Sequence, residues 1–307
     1  MSSLLEVKFI LMKHDLSKAT FIIPVRIESE DRMTNVFTIL SFLQHNFDTN
    51  IIVKEVGDYP RDGYGNEIKI SPVTMVLNRL RQDYPNNKEI LKNITHIFEY
   101  SEEALFHRQK ILNEMVMETK TEIVVNYDAD VVFPVESYVQ AYDMILNKGS
   151  DVVYPYGTGA CQRKVNRMEN RDLSLYLGFV NGKEGNQVPD YSVLDEYCEI
   201  GTSDFGWAQF FKRSVYIEGG LENENFKAYA PEDKERHFRF KTLGYKVDRI
   251  KDGLIYHFEH ARGDNSWFTN PHMESNMAEW KIIKHMSREQ LKEYYSNQDY
   301  LKKYVSL

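Results

Sequence analysis

The sequence predicts an α/β protein with a mostly parallel central sheet flanked by helices. Short apolar runs, such as "TFII" and "EIVV", alternate with longer segments whose apolar residues recur at helical spacing. This alternation is typical of parallel sheets, because a parallel connection returns along the sheet through a helix. With 307 residues, 42% of them hydrophobic, the chain can bury the core of one large domain or two small ones.

The N-terminal third contains the beginning of this sheet. We predict a short strand at Phe21–Ile23, ended by Pro24. A helix follows in "DRMTNVFTILSFLQHNF" and a second strand in "NIIVKEVGD". Residues 59–95 are polar and marked by Pro and Gly and predict no element. "HIFEY", directly after them, predicts a third strand.

The next segment leads to a pair of aspartates. "SEEALFHRQKILNEMVMETK" predicts a helix capped by Ser101, and "EIVVNYDAD" predicts a strand that ends at Asp128 and Asp130. The helix "VESYVQAYDMILNKG" and the strand "DVVYPY" continue the alternation. The two carboxylates therefore fall at the carboxyl end of a strand, where open α/β sheets bind ligands.

The second half has weaker periodicity, and residues 157–204 show little pattern. "FGWAQFFKRSVYIEGG" predicts a strand leading into a helix, and "PEDKERHFRFKTLGY" predicts a helix ended by Gly244. "KVDRIKDGLIYHFEH" predicts two short strands, and residues 272–305 a helical tail. The tail either packs on the domain or docks on a membrane surface or a second enzyme.

Composition excludes several classes of protein. The formal net charge is -8 without a long basic run, which argues against nucleic acid as a partner. Cys161 and Cys198 are the only cysteines, so we expect free thiols in a reducing compartment. "MSSLLEVKFILMKHD" is too charged for a signal peptide, and no apolar run has the length of a membrane span. We expect a cytoplasmic protein, either free or at the inner face of the membrane.

Asp128 and Asp130 have two interpretations. They are either a solvated strand end or a divalent cation site, since hard cations bind carboxylate oxygens. Arg108 falls on the apolar stripe of the predicted helix, four residues after Ala104, and an arginine facing a core needs an anionic partner. It is either a structural or snorkelling side chain or a group that grips a diphosphate.

Two other segments offer chemistry. Glu232 and Asp233 precede a helix, where they are either dipole partners or catalytic acids. His257 and His260 follow an apolar strand, where a histidine is either structural or a ligand for a metal such as Mn²⁺.

Taken in order, these segments resemble the glycosyltransferases of the GT-A fold. They are closest to the β-1,4-galactosyltransferase-like and chondroitin-polymerase-like (family 2 type) inverting enzymes. The matching segments are "PVR" after the first strand, "KEVGD" after the second, "LFHRQKILN", "YDAD", "FGWAQFFKRSVYIEGGLENENFKAYAPEDKE" and "LIYHFEHARGDN". They extend over roughly residues 20–266, and their shared order is more specific than any one motif.

The resemblance implies the fold and its organisation. The fold would be GT-A, Rossmann-like with a mixed, mostly parallel sheet. A GT-A domain would occupy residues 1–266, with a nucleotide-binding half at about 18–157 and an acceptor-binding half at about 158–266. Residues 267–307 would form a C-terminal helical extension.

The resemblance also implies roles for individual residues. The nucleotide sugar would contact Pro24, Val25, Arg26, Glu55, Arg108, Asp128 and Ala129. The metal ligands would be Asp130 and His257, with support from Asp128. Asp233 would be the catalytic base, and Glu232 beside it would help to hold the acceptor. The acceptor would contact Trp207, Tyr229 and Glu232. Phe205 would lie on the same acceptor-side strand as Trp207.

Two positions depart from the family pattern. Leu254 replaces a methionine ligand, so the cation would rely on Asp130, His257, phosphate oxygens and water. "AYAP" replaces a run rich in tryptophan and glycine, which implies a different acceptor pocket.

The implied function is inverting transfer of a sugar, of the galactose, N-acetylgalactosamine or glucose type, from a UDP-sugar. The cofactor would be Mn²⁺ or Mg²⁺, and the acceptor a saccharide or glycolipid hydroxyl in polysaccharide or glycoconjugate synthesis. The alternatives are a retaining transferase on the same fold and a non-catalytic glycan- or nucleotide-binding module. A nucleotidyltransferase is disfavoured, since no Gly-rich phosphate loop follows the first strand.

Overall fold

The computed structural model describes residues 13–84, 90–166, 178–182, 188–201, 203–263, 265 and 269–305. The strands are β1 His14–Val25, β2 Phe47–Gly57, β3 Ile94–Tyr100, β4 Ile123–Tyr127, β5 Val131–Val132, β6 Val152–Tyr154, β7 Gln162–Val165, β8 Cys198–Ile200, β9 Ala208–Lys212, β10 Val247–Arg249 and β11 Ile255–Phe258. The helices are α1 Glu30–Asn46, α2 Pro72–Asp83, α3 Arg108–Glu118, α4 Val135–Leu146, α5 Ser192–Asp195, α6 Arg213–Glu218, α7 Glu232–Leu243, α8 Met273–Ile283, α9 Arg288–Ser296 and α10 Lys302–Val305.

The predicted mixed, mostly parallel sheet is confirmed. Seven strands pair in the order β10-β6-β9-β4-β1-β2-β3. All neighbours are parallel except β9, which runs antiparallel to both β4 and β6. A second sheet pairs β5-β11-β7-β8 and stands beside the carboxyl end of β4. The two strands predicted in "KVDRIKDGLIYHFEH" are present, but they belong to different sheets.

The first strand is longer than predicted, and Pro24 does not end it. Pro24 pairs in register with Lys54 of β2, inside the parallel ladder. The pairing of β1 with β4 stops at Ile22, so at Pro24 one side of the strand has no ladder bond to lose. Beyond Ile22, that free side of β1 borders the space at the carboxyl edge of the sheet.

The helix predicted from Ser101 begins only at Arg108, so the expected stripe through Ala104 is wrong. The backbone between them is engaged elsewhere. Ser101 N donates to Gly57 O at 2.9 Å, and Arg26 Nη1 donates to Ala104 O at 2.9 Å. A carbonyl held by a distant arginine in an irregular segment does not contribute to a helical turn.

The segment that predicted no element contains a helix with ordinary signals. Ser71 caps α2 by accepting a hydrogen bond from Thr74 N, and Pro72 occupies the first helical position. The predicted end of α7 at Gly244 is confirmed. Gly244 has a φ of +91°, the left-handed conformation expected of a helix-terminating glycine.

The helical tail packs on the rest of the chain. Its buried side chains form a second apolar cluster with residues of the 226–243 region: Phe226, Leu243, Ile283, Leu291 and Tyr295. Among the described helices, none has the length and apolar character needed to cross a bilayer. The N-terminal segment was judged too charged for a signal peptide. Its residues 1–12 lie outside the part of the chain that the structure describes.

Candidate active site

A cleft opens at the carboxyl ends of β1 and β4, between the two sheets, and it gathers nearly all the predicted site residues. The predicted residues on its lining are Pro24, Val25, Arg26, Arg108, Asp128, Ala129, Asp130, Trp207, Tyr229, Glu232, Asp233 and His257. They come from both halves of the sequence, so the fold brings together residues more than 200 positions apart, such as Pro24 and His257.

Glu55 is the predicted site residue that does not line this cleft. Its carboxylate is buried and accepts hydrogen bonds from Val73 N at 3.2 Å, at the start of α2. His96 Nε2 lies 3.0 Å from its other oxygen. Glu55 instead borders an adjacent recess, which it shares with Arg26 and Asp58.

Arg108 and Asp128 form an ion pair on the lining of the cleft. Arg108 Nη2 donates to Asp128 Oδ1 and, at 3.1 Å, to Asn126 Oδ1. The expected anionic partner of Arg108 is therefore present within the chain itself. Because Arg108 and Asp128 both line the cleft, the pair also places a guanidinium beside any ligand bound there.

Asp130 converges with two histidines. His260 Nε2 lies 3.0 Å and His257 Nε2 3.7 Å from Asp130 Oδ2, and one ligand atom from each residue falls within 4.8 Å of the others. Among the described residues, Oδ1 of Asp130 is buried without a hydrogen-bond partner. An orphaned carboxylate oxygen beside two imidazoles fits a borderline divalent cation such as Mn²⁺.

The outer nitrogen of His260 is hydrogen-bonded, which orients that ring. His260 Nδ1 donates to Ala261 O at 2.7 Å, which leaves Nε2 as the ligand atom. His257 Nδ1 lies 3.3 Å from Glu259 Oε1, an ion-pair contact without the geometry of a hydrogen bond. Burial lowers the pKa of His257, but the carboxylates of Asp130 and Glu259 outweigh this and raise it to about 9.

His260 was a candidate from the sequence, but the family comparison there selected only His257. The signal available was the His-x-x-His spacing at the end of an apolar strand. Leu254, at the position of the missing methionine ligand, packs against the hydrophobic core and does not line the cleft. His260 therefore offers a third candidate ligand atom, which the leucine side chain lacks.

Asp233 and Glu232 begin α7 and face the same cleft, but their surroundings differ. Asp233 Oδ1 accepts a 2.7 Å hydrogen bond from Arg236 Nη1. Glu232 is 5% exposed, and its Oε2 has no hydrogen-bond partner among the residues that the structure describes. Burial, together with the negative charge of Asp233, raises the pKa of Glu232 to about 8.

Aromatic side chains form the wall predicted to receive an acceptor. Trp207 follows Gly206 with a φ of +58° and stacks edge-on against Tyr156. Tyr229 is 41% exposed at the cleft, and Phe205 also lines it. The sequence reasoning missed other polar lining residues on α1 and in the weakly patterned segment 157–204: Arg32, Asn35, Gln162, Lys164 and Ser203. It also missed Glu259, which stands between the two candidate histidines.

Comparison with known proteins gives a fold and no family. No protein-family model matches the chain, and no curated protein matches it. Its structure resembles that of a solved mannosyltransferase, PcManGT from Pyrobaculum calidifontis, in complex with GDP-Man and Mn²⁺. The TM-score is 0.51 with 14% sequence identity, over 92% of this chain and 69% of that chain. The chain therefore shares its mixed α/β fold with this mannosyltransferase.

Proposed function

We propose that this chain is a metal-dependent glycosyltransferase of the GT-A type. The observation that carries the proposal is the convergence of Asp130, His257 and His260 on one point of a cleft that also contains the Asp233 carboxylate. A cation site and a carboxylate in one cleft suit the transfer of a sugar from a nucleoside diphosphate to a hydroxyl. The shared fold with a mannosyltransferase supports the same class.

Asp130, His257 and His260 would hold the cation. When bound, it would offset the negative charge that the departing diphosphate gains. Arg108, oriented by Asp128 and Asn126, adds a positive charge to the same region of the cleft. Preorganised charges of this kind stabilise the transition state without reorganising during the reaction.

Asp233 is the base in the proposed reaction. The acceptor hydroxyl gives its proton to Asp233 as its oxygen bonds to the anomeric carbon. The bond from that carbon to the diphosphate breaks, and the electron pair leaves on the diphosphate oxygen. A single displacement of this kind inverts the anomeric configuration. The anomer of the product, determined by NMR, separates inversion from retention.

The donor is a nucleoside diphosphate sugar. The sequence resemblance favours UDP with galactose, N-acetylgalactosamine or glucose, whereas the structural neighbour was solved with GDP-Man. The test therefore includes both UDP-sugars and GDP-sugars. The acceptor in this proposal is a saccharide or glycolipid hydroxyl, received by Trp207 and Tyr229.

The test is nucleotide release from a panel of UDP- and GDP-sugars with Mn²⁺, with Mg²⁺ and with chelator. We expect slow release from one donor, only with metal. No release from any donor, together with no metal-dependent binding of UDP or GDP by calorimetry, would reject the proposed function.

A further inference from the structure

The guanidinium of Arg236 is clamped inside the protein. Its side chain is 1% exposed, and so is that of Glu222. Nε donates to Glu222 Oε1 and Nη2 to Oε2, both at 2.7 Å. Tyr216 donates its hydroxyl to the same carboxylate at 2.5 Å. A bidentate pair between buried groups fixes the plane of the guanidinium as well as its position.

The remaining nitrogen of Arg236 reaches Asp233. Nη1 donates to Asp233 Oδ1 at 2.7 Å and to Gln209 Oε1 at 3.2 Å. The other oxygen, Oδ2, lies against Gly206, where an added Cβ would come within 2.8 Å of it. Gly206 has a φ of +100°, a conformation that favours glycine. Because glycine has no Cβ, there is room beside it for Oδ2 of Asp233.

The same clamp connects to the ion pair on the other side of the cleft. Gln209 Oε1 also accepts from Asn126 Nδ2 at 3.1 Å, and these residues are direct partners on β9 and β4. Asn126 Oδ1 accepts from Arg108 at 3.1 Å, and Arg108 binds Asp128. A continuous line of side-chain hydrogen bonds therefore joins Asp233 to Asp128.

We propose that Arg236 is a positioning residue for transfer: clamped on Glu222, it holds Oδ1 of Asp233 so that Oδ2 takes the proton of the acceptor hydroxyl. This inference rests on the proposed function. The proton moves to Oδ2, the acceptor oxygen bonds to the anomeric carbon, and the electron pair of the broken bond leaves with the diphosphate. Lysine cannot replace Arg236, because an ammonium lacks the planar fork that satisfies both carboxylates at once.

A second buried pair on the same helix provides a matched control. Arg239 Nε donates to Glu235 Oε1 at 2.8 Å, and their side chains are 0% and 1% exposed. The other nitrogens of Arg239 donate to backbone oxygens of Gly219 and Leu221. This pair is as buried as the Arg236 clamp, but it is directed away from Asp233.

The experiment compares Arg236→Lys and the double variant Glu222→Gln/Arg236→Gln with the control Glu235→Gln/Arg239→Gln. The double variant removes both fully buried charges, so that only the Asp233 carboxylate, whose side chain is 26% exposed, loses a charged partner. We measure kcat and KM for transfer, calorimetric binding of UDP or GDP with Mn²⁺, and Tm. For the two Arg236 variants we expect kcat to fall by up to ~100-fold, the cost of a misplaced reacting group, with donor KM and nucleotide affinity unchanged. The control should have a lower Tm than the wild type and an unchanged kcat.

Wild-type kcat in folded Arg236→Lys would overturn the inference, as would an equal loss of kcat in the control. A crystal structure of Arg236→Lys with the Asp233 carboxylate in its original place would overturn it independently of activity. If the wild-type chain shows neither transfer nor metal-dependent nucleotide binding, the proposed function fails and this inference fails with it. The failure of the proposed function is distinguishable from the failure of the Arg236 inference, because it is seen in the wild-type protein before any substitution is made.

Discussion

Nε2 of His260 lies closer to Oδ2 of Asp130, at 3.0 Å, than Nε2 of His257 does, at 3.7 Å. His260 is therefore at least as well placed as His257 to share a cation with Asp130. In the proposed metal site, His260 would take the place of the ligand that the family resemblance marks as missing at Leu254.

Replacing His260 should weaken metal binding as strongly as replacing His257. We expect His260→Ala and His257→Ala each to raise the Kd for Mn²⁺ by at least ~10-fold, since a ligand contributes at least as much as its outer-shell partners. The measurement is calorimetric titration of Mn²⁺ with nucleotide present. His285→Ala is the control, because His285 is exposed in the tail and does not line the cleft. Unchanged affinity in His260→Ala would remove His260 from the site.

Asp233→Asn should slow transfer strongly and leave nucleotide binding unchanged. An amide cannot accept the proton, and a general base contributes roughly 10²–10⁴-fold. We expect kcat to fall by that range while the Kd for nucleotide with Mn²⁺ stays near the wild-type value. Asp299→Asn, at an exposed acid paired with Lys302 in the tail, should behave like wild type. A folded Asp233→Asn protein with full activity would show that another group is the base.

Glu232→Gln should stabilise the protein in alkaline solution. The pKa of Glu232 rises from an ordinary 4.5 to about 8 on folding, so the folded state holds this proton more tightly than the unfolded state. Between these values the native state binds more protons, and stability falls as pH rises. Glutamine has no proton to lose. We expect Tm values of the variant and the wild type to agree at about pH 4 and the variant to lead by several degrees at about pH 9. A gap that does not change with pH would contradict the assigned pKa.

The tail should behave as part of the folded domain. Leu291 is fully buried in the second apolar cluster, whereas Ile282 on the preceding helix is 58% exposed. We expect Leu291→Ala to lower the free energy of unfolding by roughly 2–5 kcal/mol and Ile282→Ala to change it by less than about 0.5 kcal/mol. Urea denaturation measures both. Equal, small effects would show that the tail does not share the core's cooperativity.

The elements that the sequence predicted well have signals within a few residues. The apolar run of β4, the glycine that ends α7 and the carboxylates at the end of a strand all depend on local chemistry. The start of α3 does not depend on local chemistry alone, because Arg26, from another part of the chain, binds the carbonyl oxygen of Ala104.

The candidate site followed the same division. Residues adjacent to a strand end, such as Asp130 and His257, were predictable from position along the chain. Glu55 has a similar position, yet it turns to Val73 and His96 in a neighbouring recess. The i,i+3 spacing of Asp233 and Arg236 on α7 was present in the sequence. The role of Arg236 was missed because Glu222, which fixes its guanidinium, lies 14 residues away and reaches it only through the tertiary fold.

The antiparallel strand β9 limits how this fold can be re-engineered. The strand lies in the half assigned to the acceptor, yet it is inserted between β4 and β6 at the centre of the main sheet. The two halves are therefore not interchangeable modules: a chimera that exchanges the acceptor half would also exchange a central strand, and Gln209 with it. In the proposed enzyme, acceptor preference is better altered through loops, such as the one carrying Tyr229, than through the exchange of whole segments.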